Sequence, residues 1–145
     1  MQVQPTLIKG GLHSDERGDL YYFNELNLDT IKRMYLITHP TTDIVRAWQA
    51  HKREQKWFKV VSGAFKIVVV QPDNWKTPSE PLATTVFILK AKNHEILHIP
   101  GNFANGFKAL EPNSELMVFS DFTVAESAED NFRYPAELWY NWNTV

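Results

Sequence analysis

The sequence predicts an all-β fold in a single domain. Short runs of apolar and β-branched residues recur along the whole chain, and turns rich in glycine, proline and asparagine separate them. Many short strands at close spacing are typical of a β-sandwich or a β-barrel. A length of 145 residues suits one domain with a full core. No repeat, low-complexity segment or linker indicates a second domain, so we expect one domain over residues 1–145.

The individual strands follow from these runs and from the turn residues between them. A surface loop is predicted at residues 71–81, where three prolines interrupt a polar stretch. Only residues 24–29 and 125–132 could be helical. The predicted strands cover residues 6–8, 20–23, 33–38, 44–51, an apolar run that ends at Gly63, 65–70, 84–89, 96–100 and 115–122.

The composition excludes several classes of function. A net charge of −2 gives no electrostatic reason to expect nucleic acid or an anionic membrane surface as a partner. The chain has no cysteine, which excludes disulfides, thiol catalysis and thiolate metal sites. No basic segment followed by an apolar one marks a signal peptide, and no apolar run approaches the ~20 residues of a membrane span. We expect a cytoplasmic protein.

The candidate site lies in the stretch from Arg46 to Gly63, where a polar and ionisable cluster joins two predicted strands. Alternation along a strand places Val45, Ala47, Gln49 and His51 on one face. If that face lines the interior, Gln49 and His51 project into it. Arg46 has the opposite parity and is expected to point outward unless a β-bulge re-aims it.

A metal site is not expected. A metal-binding barrel of the cupin type carries two histidines in an H-x-H pair, then a carboxylate, then a later histidine. The corresponding positions here hold Gln49, His51, Gln55 or Lys56, and Asn105, so one good ligand of four remains. Metal affinity needs three or four convergent donors, and a protonated lysine repels a cation. We expect neither a metal nor another cofactor.

Five short stretches resemble two related families of sugar-nucleotide enzymes. R-A-W-Q-A-H-K (46–52), I-K-R-M-Y-L-I (31–37) and S-D-F…E-D-N-F-R-Y (120–134) are similar to stretches of the 3,4-ketoisomerases acting on dTDP-4-oxo-6-deoxyglucose. I-P-G-N-F-A-N-G-F (99–107) resembles a stretch of the dTDP-4-dehydrorhamnose 3,5-epimerases, and D-E-R-G (15–18) resembles a turn common to both families.

The resemblance covers about residues 15–134 in the same order, and it points to the nucleotide-sugar branch of the cupin superfamily. It implies a metal-free jelly-roll barrel that is usually a homodimer and that binds a small nucleotide sugar. The chain ends in E-L-W-Y-N-W (137–142), and such large rings rarely stay exposed. We therefore expect this tail to dock on the barrel or on a partner chain.

The resemblance also implies roles for individual residues. The hydrogens on the carbons that flank a sugar carbonyl are acidic, and isomerisation needs a base and a group that stabilises the enolate. His51 is the candidate base, Lys56 the candidate cation at the enolate oxygen, and Tyr35 a candidate proton donor or acceptor near the sugar. Arg17 and Arg46 match arginines that bind the nucleotide diphosphate or the sugar, which suits bidentate guanidinium contacts.

Three departures limit the resemblance to the 3,5-epimerases. Their principal base corresponds to Gln49 here, and a later histidine corresponds to Asn105. A gapless alignment also places Val118 at the position of their catalytic tyrosine. Gln49 and Asn105 can hydrogen-bond a sugar but cannot shuttle protons, so we expect them to bind substrate.

Three hypotheses follow. The first is an isomerase or epimerase of dTDP-4-keto-6-deoxyhexoses in deoxysugar biosynthesis, with 3,4-ketoisomerisation favoured over 3,5-epimerisation. The second is a binding protein for nucleotide sugars that has lost its acid–base residues. The third, a metal-dependent cupin enzyme, requires an ion on His51.

Overall fold

A computed structural model describes residues 3–144, so Met1, Gln2 and Val145 of the predicted domain lie outside the described residues. The described part contains one short α-helix, α1 (Val124–Ala128), and one 3-10 turn at Ala91–Asn93. The strands are β1 (Thr6–Lys9), β2 (Gly11–Asp15), β3 (Gly18–Tyr22), β4 (Arg33–His39), β5 (Val45–His51), β6 (Lys56–Ser62), β7 (Ala64–Val70), β8 (Thr84–Lys90), β9 (Glu95–Ile99), β10 (Phe103–Ala109), β11 (Ser114–Ser120) and β12 (Phe132–Arg133).

The strands form two five-stranded antiparallel sheets and a separate hairpin. The first sheet has the order β1-β9-β6-β11-β4, the second has the order β12-β5-β10-β7-β8, and β2 pairs with β3. Consecutive strands repeatedly lie in different sheets, as in a jelly roll. The predicted all-β, jelly-roll fold is confirmed.

The main core lies between the two sheets. Strand alternation sends every second residue of each sheet inward, and these residues are mostly aromatic or branched. The inner cluster comprises Phe58, Val60, Phe65, Ile67, Val69, Leu89, Leu97, Ile99, Phe103, Phe107, Ala109, Leu116 and Val118.

The aromatic C-terminal tail covers the outer face of the second sheet. Trp142 is buried against Trp48, with ring centroids 5.5 Å apart. Two lysines of the sheet hold the tail by its polar atoms: Lys66 Nζ donates to Tyr140 Oη (3.1 Å), and Lys108 Nζ donates to the carbonyl of Trp142 (3.1 Å). The tail docks on its own barrel, which is one of the two predicted outcomes.

A β-bulge interrupts strand β5. Asn105 of β10 pairs with Gln49, whereas Phe107, two residues further, pairs with Arg46, three residues back. Strand β5 therefore carries one extra residue in the Ala47-Trp48 pair, which reverses the strand alternation at that point.

The bulge changes which side chains face the interior. Arg46 shares the interior face with Gln49 and His51, whereas Val45 and Ala47 pack against the outer cluster under the C-terminal tail. The prediction that Val45 and Ala47 share a face with Gln49 and His51 is therefore wrong. The outward orientation of Arg46 expected from parity alone is replaced by the inward one that a bulge allows.

Candidate active site

A cavity of about 800 Å³ opens at one end of the barrel. The inward faces of β4, β5, β6 and β10 form its walls, and α1 with the residues that follow it forms its rim. Five of the seven predicted site residues line it: Tyr35, Arg46, Gln49, Lys56 and Asn105.

Lys56 begins strand β6 and points into this cavity from a buried position. Its Nζ donates a hydrogen bond to Gln49 Oε1 (3.0 Å). Burial lowers the pKa of Lys56 to about 8, with Arg33 and Arg133 adding to the effect and Glu54 opposing it. Lys56 therefore exchanges between ammonium and amine close to neutral pH.

His51 is buried at the end of β5, on the same face as Gln49, but it is not among the residues that line the cavity. Its Nδ1 lies 2.7 Å from the carbonyl oxygen of Asp130, so Nδ1 carries the proton and donates it. Nε2 is buried and has no hydrogen-bond partner among the described groups. Burial and the charge of Lys56 lower the pKa of His51, which leaves the ring neutral with a free Nε2 lone pair.

The loop that follows His51 is held by the carboxylate of Asp130. Its oxygens accept hydrogen bonds from the backbone N–H groups of Lys52 (2.9 Å), Arg53 (2.8 Å) and Glu54 (2.8 Å). Asp130 thus orients His51 through its carbonyl and the next loop through its side chain. Both contacts join strands β5 and β6 to the segment that precedes β12.

Tyr35 lies on β4 opposite Lys56, with Lys56 Nζ 5.9 Å from its ring centroid. Burial raises the pKa of Tyr35 to about 12, although the cations of Arg33 and Arg46 act in the opposite direction. The phenol therefore stays protonated at neutral pH and can donate a proton or a hydrogen bond.

Arg46 is held in place by a histidine on the neighbouring sheet. Its Nε donates to Nε2 of His39 (3.2 Å), and His39 packs against Phe65 and Phe107. Burial and the charge of Arg46 lower the pKa of His39, so this ring remains a neutral acceptor. His39 is buried and orients a cavity arginine.

Sequence reasoning missed three charged residues around the cavity. Arg33 and Arg133 line it, and Glu54, whose side chain is fully buried, pairs with Arg33 at 3.1 Å. Arg33 and Arg133 lie within the stretches 31–37 and 120–134 that resemble the ketoisomerases, so the resemblance could have indicated both as site residues. Glu54 lay in a polar loop with no such signal.

Arg17 does not reach the cavity of its own chain. It lies in the turn between β2 and β3, 83% of its side chain is exposed, and it pairs with Asp15 at 2.6 Å. The predicted binding role of Arg17 therefore finds no support within one protomer.

No group of three or more histidine, cysteine, aspartate or glutamate side chains with metal-binding geometry occurs within residues 3–144. Over the same residues, no helix has the length and apolar character needed to cross a membrane.

Comparison with known families decides the class of protein. The family model described as dTDP-4-dehydrorhamnose 3,5-epimerase matches residues 6–144. The chain belongs to this dTDP-sugar isomerase family. The class predicted from the sequence, isomerases and epimerases of deoxysugar biosynthesis, is confirmed at the level of the family.

A curated relative agrees with this assignment. The chain is 27% identical over 112 residues to the probable low-salt glycan biosynthesis epimerase Agl13 of Haloferax volcanii, covering 74% of this chain and 70% of the relative.

Two solved structures share the fold at lower identity. One is a variant of the 3,4-ketoisomerase QdtA from Thermoanaerobacterium thermosaccharolyticum in complex with TDP-4-keto-6-deoxyglucose, with TM-score 0.72, 23% identity and coverage of 92% of this chain and 90% of the other. The second is the dTDP-4-dehydrorhamnose 3,5-epimerase from Bacillus anthracis with TDP and pyrophosphate bound, with TM-score 0.76, 24% identity and coverage of 97% and 86%.

Proposed function

We propose that this dTDP-sugar isomerase family protein isomerises a dTDP-4-keto-6-deoxyhexose by abstracting a proton next to the sugar carbonyl. We favour 3,4-ketoisomerisation over 3,5-epimerisation. One observation carries the proposal: three arginines and a lysine of near-neutral pKa line one cavity, and a neutral histidine with a free Nε2 lies on the interior face of the same strand as Gln49. A nucleotide diphosphate joined to a carbonyl sugar requires these two kinds of group.

The arginines provide the anion-binding part of the site. Arg33, Arg46 and Arg133 all line the cavity, and guanidinium groups bind phosphate oxygens in bidentate fashion. Arg46 is held by His39, which fixes the direction of its remaining N–H groups. We propose that these cations bind the diphosphate of the nucleotide sugar, with Gln49 and Asn105 hydrogen-bonded to the sugar.

The remaining residues fit the proton transfers of a 3,4-ketoisomerase. In the proposed reaction His51 Nε2 takes the proton from C3, and the electron pair forms an enediolate across C3 and C4. The ammonium of Lys56 stabilises the negative oxygen, and Tyr35 exchanges a proton between the two oxygens. A proton then enters at C4 and the C3 hydroxyl becomes the carbonyl. Oxidation at C3 and reduction at C4 balance each other, so the reaction needs no redox cofactor.

The unpartnered Nε2 of His51 supports its assignment as the base. A buried nitrogen without a hydrogen bond is unfavourable for stability, and such groups concentrate where a ligand or a reaction uses them. In this proposal the substrate reaches Nε2 past Gln49 and Lys56, which line the cavity beside His51.

A second candidate function is the binding of nucleotide sugars without catalysis. Gln49 and Asn105 both line the cavity. The resemblance to the 3,5-epimerases implies histidines at these two positions, and neither amide can transfer a proton. His51 does not line the cavity. This candidate predicts tight binding of dTDP-4-keto-6-deoxyglucose with no change in the sugar.

We also propose that the protein is a homodimer. The β2–β3 hairpin exposes Leu12, Leu20 and Tyr21 by 52%, 58% and 43%, and the outer face of β4 exposes Met34 and Leu36 by 56% and 49%. Exposed apolar side chains of this kind are typical of interfaces between subunits.

A dimer would also give Arg17 a function. The hairpin carries Arg17 at its exposed turn, away from its own cavity. In the proposed dimer the turn approaches the partner's cavity and places the guanidinium at the substrate there. The absence of cysteine fits the cytoplasm, which we propose as the location of the protein.

Incubation with dTDP-4-keto-6-deoxyglucose, followed by NMR of the product, tests the proposed function. We expect a new 3-keto sugar with wild type and none with His51→Asn, while circular dichroism shows the same fold for both. Unchanged sugar together with calorimetric binding would support the binding function instead. A product inverted at C3 and C5 would show that the preference for ketoisomerisation is wrong.

A further inference from the structure

The carboxylate of Glu54 is the most completely enclosed charged group beside the candidate base. Its side chain has no exposed surface. Oε2 accepts from Ser120 Oγ (2.6 Å) and lies 3.1 Å from Arg33 Nη2, and Oε1 accepts from Ser127 Oγ (2.6 Å). Oε1 also lies 3.4 Å from Nδ1 of His51. Glu54 thus connects β4, β11, α1 and the end of β5.

These surroundings require an ionised carboxylate at position 54. Burial by itself raises the pKa of Glu54, but the hydrogen bonds from Ser120 and Ser127 and the charges of His51 and Lys56 outweigh it, so the pKa is lowered. Both oxygens face donors, and a glutamine would turn its NH₂ group toward two of them. A buried charge is costly unless it is fully paired, and here it is paired on both sides.

The geometry at His51 shows what this charge can do in the proposed reaction. While the ring is neutral, Nδ1–H donates to the carbonyl of Asp130 and Nε2 is free. When Nε2 takes a proton, the ring becomes a cation in a buried place beside the cation of Lys56. Both nearby carboxylates favour this cation, Glu54 more than Asp130. The Asp130 oxygens already accept three backbone N–H groups, whereas Glu54 Oε1 lies 3.4 Å from Nδ1.

We propose that Glu54 is a positioning residue that acts through His51, holding the proton on Nδ1 and balancing the imidazolium formed when Nε2 accepts the substrate proton. This inference rests on the proposed function. No new bond forms at Glu54: the proton leaves C3 for Nε2 and exchanges with solvent, a proton enters at C4, and the carboxylate stays ionised. The charged groups that face His51 and Glu54 are Lys56 from β6, Arg33 from β4, Asp130 before β12 and Asp121 after β11.

NMR titration of the histidine side chains, without substrate, tests the pair directly. The signal of His51 is assigned by its loss in His51→Asn, and nitrogen shifts report which ring nitrogen carries the proton. We expect the Nδ1–H tautomer in wild type. In Glu54→Gln we expect a lower pKa for His51, because Glu54 stabilises the protonated ring. An unchanged His51 pKa in this variant would overturn the proposal.

Steady-state kinetics of Glu54→Gln provide a second test of the proposal. Glu54→Gln should lower kcat roughly 10- to 100-fold, less than removal of the base itself, with KM within about threefold of wild type. The acid limb of kcat/KM should move to lower pH together with the His51 pKa. A higher KM with an unchanged kcat and an unmoved acid limb would mean that Glu54 only supports the structure, and would overturn the proposal.

Two further variants complete the test: one controls for the loss of a nearby carboxylate, and the other replaces Glu54→Gln if that variant does not fold. Asp121→Asn removes a nearby carboxylate that accepts from the backbone N–H of Gln55, and it should leave both the His51 pKa and kcat close to wild type. If Glu54→Gln does not fold, Glu54→Asp keeps the charge but withdraws it from Nδ1. In this variant too a lower His51 pKa is expected, and an unchanged one contradicts the proposal. If wild type proves inactive, the proposed function fails, while the titration still decides the Glu54–His51 pair.

Discussion

Lys56 Nζ donates a 3.0 Å hydrogen bond to Gln49 Oε1, and together the two side chains form part of the cavity wall. The resemblance to the 3,5-epimerases places Gln49 at the position of their principal base, which implies an amide acceptor here in place of a proton-transfer group. An acceptor at this point orients the lysine amine without taking its proton. Because this pair lies next to His51, we favour a reaction in which the ammonium of Lys56 stabilises the negative charge on the carbonyl oxygen.

Lys56→Met should make the protein more stable at neutral pH while abolishing turnover. Below pH 8 the folded chain must bury a charged ammonium, because the folded pKa is about 8 and the ordinary value is 10.5. This difference corresponds to about 3 kcal/mol, an upper limit because methionine also loses the contact with Gln49. Urea unfolding at pH 7 measures it.

The matched control is Lys66→Met. Lys66 is also buried, but its ammonium donates to Tyr140 Oη and to the carbonyl of Thr144, so its removal should destabilise the protein.

The stability of wild type should rise between pH 8 and 10.5, where only the unfolded chain keeps the proton of Lys56. A Lys56→Met variant less stable than wild type at pH 7 would show that the lysine is not under this electrostatic strain.

Turnover should have a bell-shaped dependence on pH. The acid limb reports protonation of His51 and should lie below pH 6.5, because burial and Lys56 lower that pKa. The basic limb should lie near pH 8, where Lys56 loses the proton that stabilises the enolate. Steady-state kinetics from pH 5 to 9.5 measure both, and activity that keeps rising above pH 9 would assign Lys56 the role of base instead.

The sequence predicted the fold well because burial and turn chemistry are local signals. It missed β10 (Phe103–Ala109), since this strand contains an Asn-Gly pair that usually marks a turn. It also missed β2 (Gly11–Asp15), whose residues are largely polar, and the two-residue β12. Of the two possible helices, only the second forms, shortened to Val124–Ala128.

The site was harder to predict because its geometry depends on partners distant in sequence. The inward direction of Arg46 follows from a bulge that is visible only in the register of β5 against β10. Likewise Glu54 and Asp130 stand 76 positions apart, yet they meet at the loop after His51. Parity and turn rules describe neither contact.

Arg46→Ala should weaken the binding of dTDP by roughly tenfold or more, because a charge-assisted hydrogen bond to phosphate contributes about 1.5–3 kcal/mol. Isothermal titration calorimetry at fixed ionic strength measures this. Lys9→Ala removes the same charge from an exposed pair with Glu95 and serves as the control. Equal weakening by both variants would mean that only net charge matters.

Gly106→Ala should destabilise the barrel. A Cβ at Gly106 would lie 2.6 Å from the Cβ of Ala47 and 2.7 Å from Cζ2 of Trp142, so the bulge and the docked tail would both have to move. Overpacking of this kind costs about 1–3 kcal/mol. Chemical denaturation measures it, and unchanged stability would show that the tail gives way at no cost.

Leu20→Asp should convert the proposed dimer to a monomer, because Leu20 is 58% exposed on the apolar β2–β3 hairpin. Analytical ultracentrifugation measures the mass. Val86→Asp, which adds the same charge at an exposed position of β8 in the second five-stranded sheet, should leave the dimer intact. A wild-type protein that sediments as a monomer would remove the role proposed for Arg17 at a partner's cavity.

The most direct test of the central claim is deuterium uptake by dTDP-4-keto-6-deoxyglucose incubated with the protein in deuterated water, followed by mass spectrometry. We expect wild type to introduce deuterium at a carbon next to the original carbonyl or at that carbon itself, and His51→Asn to introduce none. Substrate that binds to wild type and yet remains unlabelled would contradict proton abstraction at this site.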